Sequence, residues 1–297
     1  MTDSFLAEVL GTTQITPNLR RVHLGGGDLA RWEATGKPDE YVHVHIPDAD
    51  AAPGWEDDHD IARHYTIRRH SIVREHGVVH EHGVVHEPGA VAVTIDLDVV
   101  THGHGRGATW AKTCQPGDHV AISTARGFYG PPEGSTKRLL IADATGLPAV
   151  ARILEEASAD EEFDVIVELL DLADKITFAS AATVRPVWRV SGNGRSPSAL
   201  EACMSRAEVP SEDTYVWIAG ETSETRRARK FLRANWGRHH TSYRIVGYWL
   251  ANQEELMATY EALTDEEREQ YEAIWDEERS DEANWEELEP FLVSHGL

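Results

Sequence analysis

Arg63-His64-Tyr65-Thr66-Ile67-Arg68 is the stretch on which the fold turns. β-Branched and aromatic residues at its centre, Tyr65-Thr66-Ile67, fit a pleated, half-buried surface and predict a strand. Alternate side chains of a strand share a face. Tyr65, Ile67 and Arg69 are therefore expected on one side, with His64, Thr66 and Arg68 on the other. A ring with a hydroxyl and cations beside it suits a flat aromatic ligand that carries phosphates. The same six residues also describe an ordinary barrel strand with exposed arginines, so the rest of the chain has to decide.

Around this stretch, residues 1–130 read as all-β. Short runs such as Arg20-Arg21-Val22-His23-Leu24, Tyr41-Val42-His43-Val44-His45-Ile46 and Val91-Ala92-Val93-Thr94-Ile95 are punctuated by turns at Gly25-Gly26-Gly27, Pro53-Gly54, Pro88-Gly89 and Pro116-Gly117. Strands at that spacing predict a barrel or sandwich. One short helix is expected from Thr109 to Cys114. Glu75 to His80 is repeated as Glu81 to His86, which crowds four histidines together. On a strand those histidines are strung out at about 3.3 Å per residue. An extended hairpin is the expectation there, and no metal site.

Ala125 to Gly134 reads as a linker, and beyond it the pattern changes. Over residues 136–250, apolar strands at Arg138–Ala142, Phe163–Leu170, Val184–Val190, Tyr215–Ala219 and Tyr243–Trp249 alternate with helices near Ala149–Ala157 and Glu224–Asn235. That alternation predicts a parallel sheet with helices on its faces. Ligands of such sheets bind beyond the carboxyl ends of the strands. The loops there are Asp143 to Pro148 and Gly220 to Ser223, and neither carries a Gly-x-Gly-x-x-Gly fingerprint. Residues 251–297 read as amphipathic helices, with Asp265 expected to cap one and Trp285, Leu288, Phe291 and Leu292 in another. Two readings stay open for them: packing on the body, or docking a basic protein partner.

The chain has 297 residues, 51 acids against 28 bases, and a formal charge of −23, which argues against a nucleic-acid partner. From Asn252 onward there are 16 acids against two arginines, so the acidity belongs mainly to the tail. Met1 to Phe5 shows no basic region leading into an apolar run, and no segment approaches the length of a membrane span. The two cysteines, Cys114 and Cys203, form no metal-type pair. A soluble cytoplasmic protein is expected. No nucleophile elbow or zinc motif is present. A β-domain followed by an α/β domain fits a cofactor held between the two, such as a flavin that carries the redox chemistry while the protein positions it.

The chain resembles the siderophore-interacting protein family, flavoproteins related in architecture to ferredoxin reductases. Arg63 to Arg68 is similar to the family's Arg-x-Tyr-Thr/Ser-x-Arg flavin motif. Asp96-Leu97-Asp98-Val99-Val100-Thr101-His102-Gly103, followed by Gly105-Arg106-Gly107-Ala108-Thr109-Trp110-Ala111, resembles its second FAD motif. Ala142-Asp143-Ala144-Thr145-Gly146-Leu147-Pro148, Val187-Trp188-Arg189, Ala219-Gly220-Glu221 and Gly247-Tyr248-Trp249 match further landmarks. The resemblance implies an FAD-binding β-barrel and an NAD(P)-binding-like α/β domain, followed here by an acidic helical extension. It implies FAD contacts from Arg63, Tyr65, Thr66, Arg68, His102, Gly103, Gly107, Ala108 and Trp110. Asp143 is a further expected cofactor contact, Thr145 and Glu221 are expected near the nicotinamide, and Tyr248 and Trp249 near the flavin ring. No protein side chain is expected to act as a catalytic acid, base or nucleophile.

The activity so implied is reduction of a ferric siderophore, with electrons from NADPH, NADH or ferredoxin passing through FAD. A general flavin or ferric-chelate reductase and a non-catalytic siderophore-binding protein remain as alternatives. His43 and Arg126 are the expected substrate contacts, and Arg189 and Arg226 are candidates for a 2′-phosphate. The chain departs from the family pattern at His43, where members commonly carry Lys, at Ala144 in place of Glu, and at Leu250, where many have Arg. Each departure falls at a position expected to meet substrate or donor.

Overall fold

Phe5, Ala7 and Val9 point to one side of β1 (Ser4–Thr16) and their neighbours to the other. A strand with one apolar face must bury it. Six strands do so by closing into an antiparallel barrel in the order β1-β2-β5-β4-β3-β6. These are β2 (Leu19–Gly25), β3 (Tyr41–His45), β4 (Ala62–Arg74), β5 (Val91–Val100) and β6 (His119–Ser123). Val22, Leu24, Val42, Ile95, Leu97 and Val120 fill the interior, completely buried. Each contributes roughly 1.5–3 kcal/mol by leaving water. The computed structural model describes residues 4–46, 62–74, 91–101, 105–206, 208–251, 258–276, 278–279 and 281–296. The duplicated segment 75–86 and the motif residues His102 and Gly103 lie outside the described residues.

β4 corrects the simple alternation expected for it. Its pairing with β5 shifts register between Ile67 and Arg69, so one extra residue is inserted at that point. A bulge of this kind rotates the side chains beyond it. Up to Ile67 the alternation holds; after it, Arg68 and Arg69 both reach Glu155, at 2.5 and 2.6 Å. The barrel helix also differs from expectation. α1 runs Arg106–Thr113 instead of starting at Thr109, with extended Gly105 as its cap and Trp110 and Ala111 buried against the barrel.

The second layer is a five-stranded parallel sheet, β11-β10-β7-β8-β9. Its strands are β7 (Lys137–Ala142), β8 (Glu162–Leu169), β9 (Thr183–Val190), β10 (Tyr215–Glu221) and β11 (Tyr243–Trp249). β10 is buried along its whole length, and β7 along all but its first residue, because helices cover both faces. α2 (Leu147–Glu155) packs on one face with Leu140, Phe163 and Val165. α3 (Leu200–Arg206) and α4 (Thr222–Trp236) pack on the other with Leu139, Ile141 and Ile218. α3 is absent from the sequence reading, since seven residues are too few for a helical period to stand out.

Barrel and sheet are joined by buried polar contacts. Asp39 is almost completely buried and accepts from Phe128 N, Tyr129 N and Trp217 Nε1 at 2.9, 2.8 and 3.2 Å. Glu40, fully buried, accepts from Arg152 Nη1 of α2 at 2.9 Å. Asp174 accepts from Thr16 Oγ1 and from the backbone and side chain of Asn18. Burial alone would raise the Glu155 carboxyl, but Arg68 and Arg69 outweigh it and hold the group below its ordinary value. A depressed carboxylate adds stability above its unfolded pKa of about 4.3 and loses it as pH falls through the folded value. In acid denaturation, Glu155→Gln should therefore flatten the loss of stability below roughly pH 5 relative to wild type. Superimposable curves would show that the two arginines do not hold this carboxylate.

The tail folds onto the sheet domain. α5 (Asp265–Ile274) is capped by Thr264, not Asp265: the Thr264 hydroxyl accepts from Glu267 N and the Glu267 carboxylate reaches back to Thr264 N. The Thr-x-x-Glu spacing is a capping box. α6 (Asp281–His295) lays Trp285 beneath the guanidinium groups of Arg226 and Arg229 on α4, 5.9 and 5.3 Å from the ring centre. Glu286 pairs with Arg233 at 3.0 Å. Arg226, considered above for a 2′-phosphate, thus stacks on an indole of the chain itself. No helix among the described residues is long and apolar enough to cross a membrane.

Candidate functional site

A cavity of about 530 Å³ lies where the barrel meets the carboxyl ends of the sheet. β4 supplies Arg63, His64, Tyr65 and Thr66 to its wall, and the turn into α1 supplies Gly105, Arg106, Gly107 and Ala108. From the second domain come Thr145, Thr222 and the run Gly247 to Leu250 at the end of β11. Two segments more than 150 residues apart in sequence, each singled out by its motif, therefore face one space.

The chemistry of the wall is specific. Tyr65 lies against α1, and a Cβ placed on Gly107 would fall 1.7 Å from its hydroxyl oxygen. Only glycine leaves room for the ring there. Trp110 packs behind Tyr65, ring centres 6.3 Å apart. Gly105 gives α1 no side-chain cap, so the leading N–H groups of the helix are available to an anion. The buried Thr66 Oγ1 and Tyr248 hydroxyl lie close enough to influence one another. Neither completes a hydrogen bond of good geometry with the described residues. Burial pushes the phenols of Tyr65 and Tyr248 up, so both remain neutral hydroxyls at working pH. An aromatic ring, two under-satisfied hydroxyls, a cation and an uncapped helix N-terminus fit a flat heteroaromatic ring with a phosphate-bearing tail.

Asp143 and Glu221 take up a different position. Asp143 is buried and accepts from Thr145 N and Oγ1, Glu221 N and Trp249 Nε1, at 2.8, 2.6, 3.0 and 2.7 Å. Its burial raises its pKa, and these hydrogen bonds work against that rise. Glu221 caps α4 and holds Ala251 N. Both carboxylates line a smaller cavity of about 130 Å³ beside the main one, and Asp143 sets the positions of Thr145 and Trp249. Arg68 does not line the main cavity; the β4 bulge turns it toward Glu155.

His43 stands directly across from His64 in the β3–β4 pairing, and the two rings stack at 4.2 Å and 22°. Tyr41 lies 5.2 Å from His64 and 5.9 Å from both His43 and Phe128. Arg126 is exposed, and its backbone pairs with Tyr41. Arg244 of β11, which the sequence reading passed over, places its guanidinium 3.9 Å from the Phe128 ring centre. The one signal in sequence was the alternation of Tyr41 with His43. Nothing local marks Phe128 or Arg244, which meet only across the domain junction. Among the described residues, no three His, Cys, Asp or Glu side chains are placed to hold a metal ion.

A closed barrel with a glycine-opened helix over a cavity, docked on a parallel nucleotide-type sheet, defines a protein of the ferredoxin-reductase architecture. A solved ferredoxin reductase of carbazole 1,9a-dioxygenase shares this fold, with a TM-score of 0.57 and 14% identity over 83% of this chain and 69% of that one. Residues 8–129 match the siderophore-interacting FAD-binding domain, and residues 135–252 match the siderophore-interacting protein model. The chain belongs to the siderophore-interacting protein family.

Among solved structures it is similar to a siderophore utilization protein from T. fusca, with a TM-score of 0.65 and 26% identity over 84% of this chain and 94% of that one. The siderophore-interacting protein SipS from Aeromonas hydrophila has a TM-score of 0.64 and 21% identity over 84% and 99%. An NADPH-dependent ferric-chelate reductase of Escherichia coli (strain K12) is 26% identical over 52% of this chain. That match spans 60% of the reductase's length.

Proposed function

We propose that this chain is an FAD-dependent reductase of ferric siderophores, taking electrons from NADPH or NADH. The observation that carries the reading is the single cavity shared by Arg63, Tyr65, Thr66 and Gly107 of the barrel with Thr145, Tyr248 and Trp249 of the sheet domain. The E. coli and Vibrio cholerae relatives are a ferric-chelate reductase and a ferric vibriobactin reductase, and their names support the same reading. In this assignment Arg63 and the leading N–H groups of α1 hold the pyrophosphate, a use of charge and helix dipole suited to an anion. The Tyr65 ring and the Thr66 and Tyr248 hydroxyls orient the flavin. Asp143 fixes Trp249 and Thr145, so that the nicotinamide side of the cavity keeps its shape. Bound FAD supplies the transfer of electrons one at a time to iron, and the protein excludes water and sets the approach. Siderophores hold Fe(III) far more tightly than Fe(II), so one electron releases the metal.

Purified protein should show a visible flavin band, bleached anaerobically by NADPH or NADH and restored by a ferric chelate. Colourless protein that takes up no added FAD would sink the reading. A flavin that is bleached but not restored by any ferric chelate would point instead to another acceptor. Arg63→Ala removes a charge-assisted contact of about 1.5–3 kcal/mol. Its FAD retention should fall by roughly ten- to a hundredfold in equilibrium dialysis.

A further inference from the structure

β8 is an apolar strand that carries a carboxylate near its buried end. Glu168 lies in line with Val165, Val167 and Leu169 and is 1% exposed. Such a group is costly to bury unless its oxygens are satisfied. Its partners all come from the loop that leads from β9 to α3: Ser191 Oγ, Ser198 Oγ and Ala199 N donate to it at 2.6, 3.0 and 2.5 Å. Gly192 N donates to Pro197 O at 3.2 Å and closes the loop on itself. Inside it, Gly192, Asn193 and Gly194 take positive φ in succession, at 65°, 58° and 76°. A Cβ on Gly192 would collide with Glu168 Oε2, so the loop backbone sits directly on the carboxylate. A left-handed Asn persists where surrounding contacts over-determine it.

The loop reaches the cofactor cavity by two routes. Asn193, buried, accepts from Ala144 N at 3.1 Å and donates to Ser191 O at 2.9 Å. Ala144 immediately precedes Thr145, which lines the cavity. At Gly194 the loop lies against the indole of Trp249, which a Cβ would approach to 3.6 Å. Trp249 lines the same cavity. Asp143 holds Thr145 and Trp249 by hydrogen bonds, and the loop adds a second hold on each. We propose that Glu168 is a positioning residue for the electron donor, seating the loop that keeps Thr145 and Trp249 in place on the nicotinamide side of the cavity. For the identity of the donor this role rests on the reductase reading. Unseating the loop frees Trp249 and the Thr145 turn, so donor binding weakens. The FAD contacts on the barrel, Arg63, Tyr65 and Gly107, stay as they are.

Oxidised NADP⁺ and NAD⁺ cannot reduce the flavin, so calorimetric titration of each into the FAD-loaded, full-length protein reads donor binding alone. Glu168→Gln should weaken the nucleotide that wild-type protein binds by about tenfold. FAD retention should stay within about twofold of wild type, and so should the rate of flavin bleaching at saturating NADPH or NADH. Asn193→Gly keeps the left-handed backbone but removes the bridge to Ala144, and should show the same split. Met204, fully buried in α3, packs with Leu139 and Ile141. Met204→Ala should lower the melting temperature and leave nucleotide affinity unchanged. Wild-type affinity in both Glu168→Gln and Asn193→Gly, or a parallel loss of FAD in Glu168→Gln, overturns the proposal. So does an equal loss of nucleotide affinity in Met204→Ala. If wild-type protein binds neither nucleotide, the proposal falls together with the nicotinamide donor. Nucleotide binding with the expected split, but no reduction of any ferric chelate, removes the reductase reading and leaves this one standing.

Discussion

Arg152→Met is expected to lose about 3–4 kcal/mol of stability, seen as a drop in melting temperature on the order of 10 °C. Arg152 and Glu40 are both almost completely out of water, and their 2.9 Å pair spans the two domains. Arg152 Nη1 also donates to Ile67 O at 2.8 Å, which ties α2 to the bulged strand β4. Met keeps most of the side-chain volume but removes the charge, leaving the buried Glu40 carboxylate, among the described residues, with Thr35 and, at 3.4 Å, His70 beside it. A stranded buried carboxylate is what makes breaking such a pair costly. Adding Glu40→Gln removes that charge while keeping an acceptor for Thr35, so the double variant should recover a good part of the loss. A single variant as stable as wild type would show that the pair does not join the domains.

The second large effect concerns Gly107. In a helix, Gly→Ala ordinarily gains up to about 1 kcal/mol. At this position a Cβ would lie 1.7 Å from the Tyr65 hydroxyl and 3.1 Å from its Cζ, so the ring must leave its seat. Gly107→Ala should therefore keep a melting temperature close to that of wild type while FAD retention falls by about tenfold or more. Tyr65→Phe removes the nearest atom, so the double variant Gly107→Ala/Tyr65→Phe should regain part of the binding. Retention equal to wild type in Gly107→Ala would mean that the Tyr65 ring has no fixed place over α1.

Much of this architecture was legible in sequence where one segment carries its own period. The alternation in Tyr41 to His45 and the apolar runs at Arg138–Ala142 and Tyr215–Ala219 placed strands correctly, because burial of one face or of both leaves different patterns. The α1 start was misplaced because Gly107 and Ala108 look like turn residues until Tyr65 is seen to require the space above them. The Thr264 cap was readable from its glutamate three residues on, but Asp265 drew the assignment instead.

Asp39 and Glu40 lie in an unremarkable loop before β3, and nothing local shows that they bind Trp217 and Arg152. Arg68 shows the limit most clearly. The family resemblance groups it with Arg63 as an FAD contact, yet one inserted residue in the β4–β5 ladder sends it to Glu155. The sequence by itself determined the two layers and the cation-ring-hydroxyl strand, because each depends on neighbours within a few residues. Only the tertiary structure decided which of those side chains share a cavity and which lock the domains together. Register, bulges and domain packing arise from contacts between segments far apart in the chain, and these leave no period for a single sequence to display.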